Sequence, residues 1–198
     1  MGYYWATFRE MNNKYYRFDT RVYFDSVDEI KDNDICIGAV VGKNPGSAMP
    51  LDLTLGIPTK INLSGDKLLP TLRNMFKKAD PNLGGRQYVQ VLNLFYLCNP
   101  DLGEAINDYR KERNGLQQIV CNKEQLRFNW LWFLWGGSNI HLNEMKERFR
   151  KVDAQKFFYL NNNDKQVHEN FPEYDICAKH TQGMQHDLMV PFLQREIR

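Results

Sequence analysis

The chain has 198 residues and a formal net charge of +2; hydrophobic residues make up 42% of it and aromatic residues 13%. This composition is that of a globular protein, and the length favours one domain with a sizeable core. The near-neutral charge permits contact with nucleic acid without indicating it. No apolar stretch reaches the length of a membrane span, and residues 1–18 lack the apolar core of a signal peptide.

Four cysteines are present, and no two of them are spaced as a Cys-x-x-Cys pair. They are Cys36, Cys98, Cys121 and Cys177. This spacing argues against a cysteine-based zinc site, and unpaired thiols fit a reducing cytosol. We therefore expect a cytoplasmic, monomeric protein that holds no metal or other cofactor and contacts no membrane.

The predicted elements alternate between strands and helices. Alternating aromatic and charged residues predict an early strand or hairpin at residues 3–24, part of an N-terminal extension (1–30) of a single domain over residues 1–198. Apolar runs predict four buried strands, at residues 34–41, 87–97, 129–135 and 155–161. Helical spacing of apolar residues predicts helices between them, at residues 64–85, 104–126 and 139–152.

Strands that are apolar on both faces and alternate with helices are typical of parallel sheets. We predict an α/β fold, a three-layer sandwich with a central, mainly parallel four-stranded sheet. Ligands of such sheets bind outside the carboxyl ends of the strands, so the loops after the four strands should converge. These loops contain Asn44-Pro45-Gly46, Asn93, Gly136-Gly137-Ser138, and the segment with His180 and His186.

An amide follows the first buried strand, in the sequence GKNPGS at residues 42–47. Asn-Pro and Pro-Gly are strong turn signals, so a turn alone accounts for this loop. An amide donates and accepts hydrogen bonds but is no base at neutral pH. Asn44 can therefore orient a water molecule or a substrate without taking its proton. The loop lacks the spacing of a P-loop.

A second amide, Asn93, lies within the apolar run of the second strand. A buried asparagine needs hydrogen-bond partners or costs stability. At the carboxyl end of a strand, its side chain can read a base edge through paired hydrogen bonds. A satisfied core amide explains the same position equally well.

Two histidines, His180 and His186, flank the sequence TQGMQ after the last strand. An imidazole there can stabilise a departing anion, and the alternative is a surface histidine. Met184 in the same loop can insert between stacked bases or fill the core. Lys43, Lys60, Lys179 and Ser138 are candidates for phosphate contacts.

Taken together, these loops resemble the motifs of the uracil-DNA glycosylase superfamily. GKNPGS (42–47) is similar to the Gly-x-Asn-Pro-Gly motif of its mismatch-specific branch, and VLNLFYLCNP (91–100) resembles the strand whose asparagine reads a pyrimidine. LWFLWGGSN (131–139) looks like its apolar strand ending in Trp-Gly. HTQGM (180–184) keeps the histidine and the apolar fifth residue of His-Pro-Ser-Pro-Leu, without the prolines.

The same loops also resemble a bacterial family of unknown function with an Asn-Pro-Ser loop and a Val-x-Asn-Leu-Phe strand. VLNLF (91–95) matches that strand, and GMQHDL (183–188) matches the family's closing Gly-x-Pro-x-His-Pro-Leu motif without its prolines. This alignment nominates His186, whereas the first nominates His180. Both histidines stay open as candidates.

The glycosylase resemblance implies a single glycosylase-like domain that binds DNA and removes a flipped-out base. The implied base is a modified or bulky pyrimidine, such as a modified cytosine of viral DNA, or uracil. The implied catalytic residues are Asn44, His186 and His180. The implied substrate-binding residues are Gly42, Lys43, Pro45, Gly46, Ser47, Asn93 and Phe95. The implied DNA-binding residues are Ser138, Lys179, Thr181, Gln182 and Met184.

Two alternatives to a glycosylase remain open. The first is a non-catalytic protein that binds nucleic acid or nucleotides. The second is another nucleotide-processing enzyme with the same fold. A single cavity lined by Asn44, Asn93 and one of the two histidines would favour the glycosylase.

Overall fold

The computed structural model describes residues 1–50, 52–63, 66–113 and 119–197, without the side chains of residues 112 and 113. The strands are β1 (Gly2–Met11), β2 (Lys14–Val27), β3 (Ile35–Gly42), β4 (Pro58–Lys60), β5 (Gln87–Asn93), β6 (Phe128–Phe133), β7 (Ala154–Leu160) and β8 (Val167–His168). The helices are α1 (Leu68–Ala79), α2 (Leu102–Arg113), α3 (Asn143–Arg150) and α4 (His186–Glu196), with short 3₁₀ turns at Asn122–Gln125 and Ile140–Leu142.

The described strands form one mixed sheet in the order β4-β1-β2-β5-β3-β6-β7-β8. The four strands predicted as buried, β5, β3, β6 and β7, are neighbours and run parallel. The prediction of a mixed α/β fold is confirmed. The prediction of a four-stranded, mainly parallel sheet is wrong, because antiparallel strands extend both sides of this parallel block. On one side these are β2, β1 and β4, and on the other side β8.

Helices cover both faces of the parallel block. Side chains alternate between the faces of a strand, and in β3 Val40 joins one hydrophobic cluster while Ala39 and Val41 join the other. The first cluster contains the apolar side chains of α1 and α4, and the second contains those of α2 and α3. The strands therefore read as continuous apolar runs because each face is buried under helices.

The N-terminal hairpin is part of this sheet. Its two-residue turn consists of Asn12 and Asn13, which have φ angles of 53° and 57°. Positive φ at both positions is typical of the tight turn that joins two antiparallel strands. Strand β2 then pairs with β5 over Thr20–Tyr23, which brings the buried side chain of Arg17 into the interior beside the parallel block.

The helices predicted at residues 64–85 and 139–152 are confirmed in their central parts, with shifted ends. The helix predicted at residues 104–126 is confirmed only in its first part, up to Arg113, and residues 122–125 form a 3₁₀ turn. Residues 64–65 and 114–118 of these predictions lie outside the described residues. The sequence did not predict α4, which contains Pro191 in its interior and buries Met189, Phe192 and Leu193. A proline normally marks a helix boundary, so the sequence pattern around Pro191 did not indicate a helix. Among the described helices, none is long and apolar enough to cross a membrane.

Gly38 should be the least replaceable glycine of β3. A Cβ atom at this position would lie 2.1 Å from Cε2 of Trp130, and the Trp130 ring is buried and stacked on Phe76 at 5.5 Å. We expect Gly38→Ala to lower the free energy of unfolding by about 1–3 kcal/mol or more, because a packed core does not accept the added volume. Urea denaturation measures the loss.

The control for this prediction is Gly137→Ala. A Cβ at Gly137 would meet nothing within 4 Å, so we expect a change within about 0.5 kcal/mol. Equal denaturation midpoints for the two variants would contradict the close contact between Gly38 and Trp130.

Candidate functional site

The carboxyl ends of the parallel strands meet at one edge of the sheet. The backbone N–H groups of Leu94 and Phe95 donate to the carbonyls of Gly42 and Lys43, at 3.0 and 3.2 Å. These bonds hold the start of the Asn44 loop against the residues that follow Asn93.

The chain returns to the same edge after β8. Gly136, just after β6, donates its N–H to the Ala178 carbonyl at 2.7 Å, and Lys179 donates to the Leu160 carbonyl at the end of β7 at 2.8 Å. These two bonds fix the segment that carries His180 across the ends of two strands. This segment, residues 180–182, is called the returning segment below. The predicted convergence of these loops is therefore found.

A cavity of about 440 Å³ opens at this edge. Its walls include residues 44–47 of the first loop, residues 180–182 of the returning segment, and residues 66–68 at the start of α1. The predicted residues Asn44, Pro45, Gly46, Ser47, His180, Thr181 and Gln182 thus lie around one space. Gly46 has a φ of +69°, a conformation that favours glycine, so the loop needs this residue to turn.

The amide of Asn44 has a defined orientation. Its Nδ2 donates to the carbonyl of Asn99 at 2.9 Å. The described residues donate no hydrogen bond to its Oδ1, and Asn44 lines the cavity. The side chain can therefore accept a hydrogen bond from a water molecule there while its other end is anchored.

Asn93 is the last residue of β5, and its backbone is held firmly. Nη2 of Arg148 donates to the Asn93 carbonyl at 3.2 Å, and Nε of Arg148 donates to Glu124 at 2.6 Å. Asn93 is 1% exposed, yet within the described chain neither Nδ2 nor Oδ1 has a hydrogen-bond partner. An unpaired buried amide costs stability, so it points to a ligand or to a bound water.

Gly42 makes room for this amide. A Cβ at Gly42 would lie 2.9 Å from Oδ1 of Asn93, and the two residues are paired across β3 and β5. Asn93 is not among the residues that line the cavity of Asn44, so the cavity expected to contain Asn44, Asn93 and a histidine is found with Asn44 and His180 only. It lies one strand away from Asn44, at the same edge of the sheet.

His180 is in a form suited to donate a hydrogen bond. Its Nδ1 accepts from the N–H of Gln182 at 3.2 Å, so the neutral ring carries its hydrogen on Nε2. Burial lowers the pKa of His180, and the positive charge of Lys43 lowers this pKa further. The imidazole is therefore neutral at neutral pH.

The structure places the other candidate, His186, elsewhere. His186 is the first residue of α4, it is partly exposed, and it does not line the cavity. His180 therefore lines the same cavity as Asn44, and His186 does not.

The lowered pKa of His180 predicts a pH-dependent contribution to stability. The unfolded chain takes up this proton near the ordinary value of 6.5, and the folded chain takes it up only at lower pH. Wild type should therefore lose stability relative to His180→Gln as the pH falls below 6.5, with a constant difference above it. Urea unfolding at pH 7.5, 6.5 and 5.5 measures this difference, and a difference that stays constant down to pH 5.5 would contradict the burial.

Two lysines lie near the end of β6, close to Gly136 and Trp135, and neither lines the cavity. Burial lowers the pKa of Lys43, and its Nζ would lie 3.7 Å from a Cβ at Gly136. Lys146 is fully buried, and its Nζ donates to the Tyr174 carbonyl at 2.7 Å. Burial lowers the pKa of Lys146, as does the charge of Lys43. This end of the sheet is therefore suited to an anionic group.

Several predicted residues lie away from the cavity. Phe95 is buried, with its ring 5.6 Å from that of Tyr109 in α2. Met184, for which the sequence left a wedge for DNA and core packing as alternatives, is 6% exposed and belongs to the core, so core packing explains it. Ser138 is exposed after β6, and Lys179 is partly exposed next to the returning segment.

Two residues that the sequence did not single out also belong to this site. Asp66 lines the cavity, and Arg17 of β2 lies behind it, with Nη1 3.7 Å from Oδ2 of Asp66. An acidic residue just before an apolar helix is a helix-start signal, so the sequence pattern gave no reason to assign Asp66 a second role.

Over the part of the chain that is described, no group of three or more His, Cys, Asp or Glu side chains could hold a metal ion.

Comparison with known proteins gives no match. The chain matches no protein-family model, no curated protein and no solved structure. The resemblance to glycosylase motifs therefore stays a prediction, and the function of the chain is inferred from the geometry of its site.

Proposed function

We propose that this protein is a monofunctional DNA glycosylase. It would hydrolyse the N-glycosidic bond of a flipped-out pyrimidine, either a modified or bulky base such as a modified cytosine of phage DNA, or uracil, and leave an abasic site. The main support is that Asn44, whose Oδ1 accepts no hydrogen bond from the described residues, and His180, with its N–H donor, line one cavity. We further propose that it acts as a cytoplasmic monomer in DNA repair or antiviral defence and needs no cofactor.

Cleavage of this bond creates two opposite charges. The electron pair of the bond leaves with the base, so the base becomes negative and the sugar positive. His180 can donate its Nε2 hydrogen to an oxygen of the departing base. Asn44 can hold a water molecule through Oδ1, and the oxygen of that water then bonds to the sugar. An amide is a poor base, so the bond to the base must break largely before water attacks.

Asn93 is the proposed reader of the base. Its amide offers a donor and an acceptor with no partner among the described residues, and paired hydrogen bonds to a base edge need both. Arg148 holds the backbone at Asn93, which would fix the direction of the amide before a base arrives. This arrangement would lower the cost of ordering the reader on binding.

The size of the cavity supports a small-molecule ligand such as a single nucleotide. Its volume of about 440 Å³ falls within the range of about 300–1,000 Å³ that is usual for small-molecule sites. A flipped nucleotide must leave the stack to reach such a space. The positive charges of Lys43 and Lys179 near His180 favour the approach of the DNA backbone.

The test is to incubate the protein with oligonucleotides that carry uracil, mismatched thymine, hydroxymethylcytosine or glucosylated hydroxymethylcytosine, and then to cleave abasic sites with alkali. We expect strand breaks with at least one of these bases and none with an unmodified duplex. Binding should weaken as salt rises, because phosphate contacts release counterions. If no substrate yields abasic sites, the enzyme proposal is wrong, and salt-dependent binding without cleavage would indicate a nucleic-acid-binding protein.

A further inference from the structure

An acidic side chain, Asp66, forms part of the cavity wall and has no role in the mechanism proposed for Asn44 and His180. It lies just before α1, its side chain is 9% exposed, and it shares the cavity with Asn44 and His180. A partly buried carboxylate beside candidate catalytic groups calls for an explanation.

The carboxylate of Asp66 is held from two sides. Its Oδ1 accepts from the N–H groups of Leu68 and Leu69 in the first turn of α1, at 2.8 and 3.3 Å. Its Oδ2 lies 3.7 Å from Nη1 of Arg17. Arg17 is 1% exposed, and it also donates to the Ala48 carbonyl at 3.2 Å. One buried guanidinium thus connects Asp66 to the end of the Asn44 loop.

Charges of both signs act on His180. Lys43 and Lys179 place positive charge near its ring, although neither lines the cavity, and Asp66, which does line it, places negative charge near the same ring. The cavity wall next to Asp66 therefore favours a group that becomes positive, and the N–H of His180 favours a group that becomes negative. Breaking a glycosidic bond produces both charges within one nucleotide.

We propose that Asp66 is a catalytic residue that stabilises the positive charge of the sugar, and that the nucleotide binds with its sugar towards Asp66 and its base towards His180. This inference rests on the proposed glycosidic hydrolysis. The C1′–N bond breaks and its electron pair goes to the base. Water bonds to C1′ through its oxygen, and one proton of that water ends on the released base. Asp66 forms no covalent bond.

The first test compares Asp66→Asn with wild type on a base that the wild type removes. An asparagine oxygen can still accept from the N–H groups of α1, as asparagine does at helix starts, so α1 should form normally. We expect kcat to fall about 10²-fold, because an electrostatic contact made mainly in the transition state is lost. KM should change little, because the charge is absent from the bound substrate.

A second pair of variants separates this role from the support of Arg17. Asp66→Asn leaves the buried Arg17 without its carboxylate, which can unfold the chain. We therefore compare Arg17→Met with the double variant Arg17→Met/Asp66→Asn, both of which lack the buried cation. The double variant should be about 10²-fold slower than Arg17→Met. A purely structural Asp66 predicts equal rates for the two.

Binding provides a readout that does not depend on turnover. One DNA duplex carries a positively charged pyrrolidine in place of the sugar at an abasic site, and another carries the neutral tetrahydrofuran. Wild type should bind the charged duplex at least about tenfold more tightly, corresponding to about 1.4 kcal/mol. Asp66→Asn, or the double variant if the single one does not fold, should lose this preference.

The outcomes distinguish the two proposals. If wild type removes a base and Asp66→Asn does so equally fast, or keeps the preference for the charged duplex, the role of Asp66 is overturned and the glycosylase proposal stands. If wild type yields no abasic site on any substrate, both are overturned. A decrease in kcat together with loss of the preference supports the assignment of Asp66.

Discussion

Asn44→Ala should reduce base excision by about 10²–10³-fold, the usual effect of removing one positioned polar group from a transition state. The Oδ1 of Asn44 is the proposed acceptor for the attacking water. The substitution also removes the hydrogen bond from Nδ2 to the Asn99 carbonyl, which should cost only about 0.5–1.5 kcal/mol of stability. Single-turnover excision and urea unfolding measure the two effects separately.

The matched control is Asn82→Ala. Asn82 is exposed in the turn after α1 and does not line the cavity, so excision and stability should both stay at the wild-type level. Full activity of Asn44→Ala would show that the mechanism is wrong even if the protein removes a base. Equal losses in both variants would indicate a fault in the assay.

Asn93→Leu is expected to make the protein more stable and at the same time to abolish excision. The amide is buried, and in the described part of the chain neither of its polar atoms is paired. Leucine has the same number of side-chain heavy atoms and removes the two polar atoms, so the free energy of unfolding should rise by about 1–3 kcal/mol. Excision should be lost because the paired hydrogen bonds to the base are lost with the amide.

Gln90→Leu is the control for this substitution. Gln90 is fully buried on the same strand, and its amide is paired at one end only: Nε2 donates to the Thr20 carbonyl at 2.9 Å, and Oε1 has no partner among the described residues. Removing this half-paired amide should raise the free energy of unfolding less than Asn93→Leu does, because one hydrogen bond is lost with it. If Asn93→Leu destabilises the protein, the amide of Asn93 has a structural partner such as a bound water, and its role as a reader of the base is contradicted.

The parallel block could be predicted from the sequence because its strands are buried on both faces. Continuous apolar runs predicted β3, β5, β6 and β7, and the predicted bounds differ from the observed ones by a few residues. The edge strands β4 and β8 have three and two residues, too few to show any period. The antiparallel pairing of the hairpin with β5 joins distant parts of the chain, and no local pattern encodes it.

The site was predictable where it depends on strand ends. Asn44 and the returning segment lie together because the carboxyl ends of parallel strands share an edge. The choice between His180 and His186 was not predictable, because two motif alignments differ by six residues and only the fold shows which one lines the cavity. Asp66 was missed because its nearness to Asn44 depends on how α1 packs, and local spacing does not reveal that.

The position of Arg17 has a consequence for the design of shorter forms of this protein. Its guanidinium comes from the hairpin, yet it touches the end of the Asn44 loop and the carboxylate of Asp66. A fragment that begins at β3 would keep the four parallel strands and lose this link between two cavity walls. It would also leave the outer edge of β5 unpaired, and such edges promote aggregation. The hairpin therefore belongs to the smallest unit that can retain an ordered site.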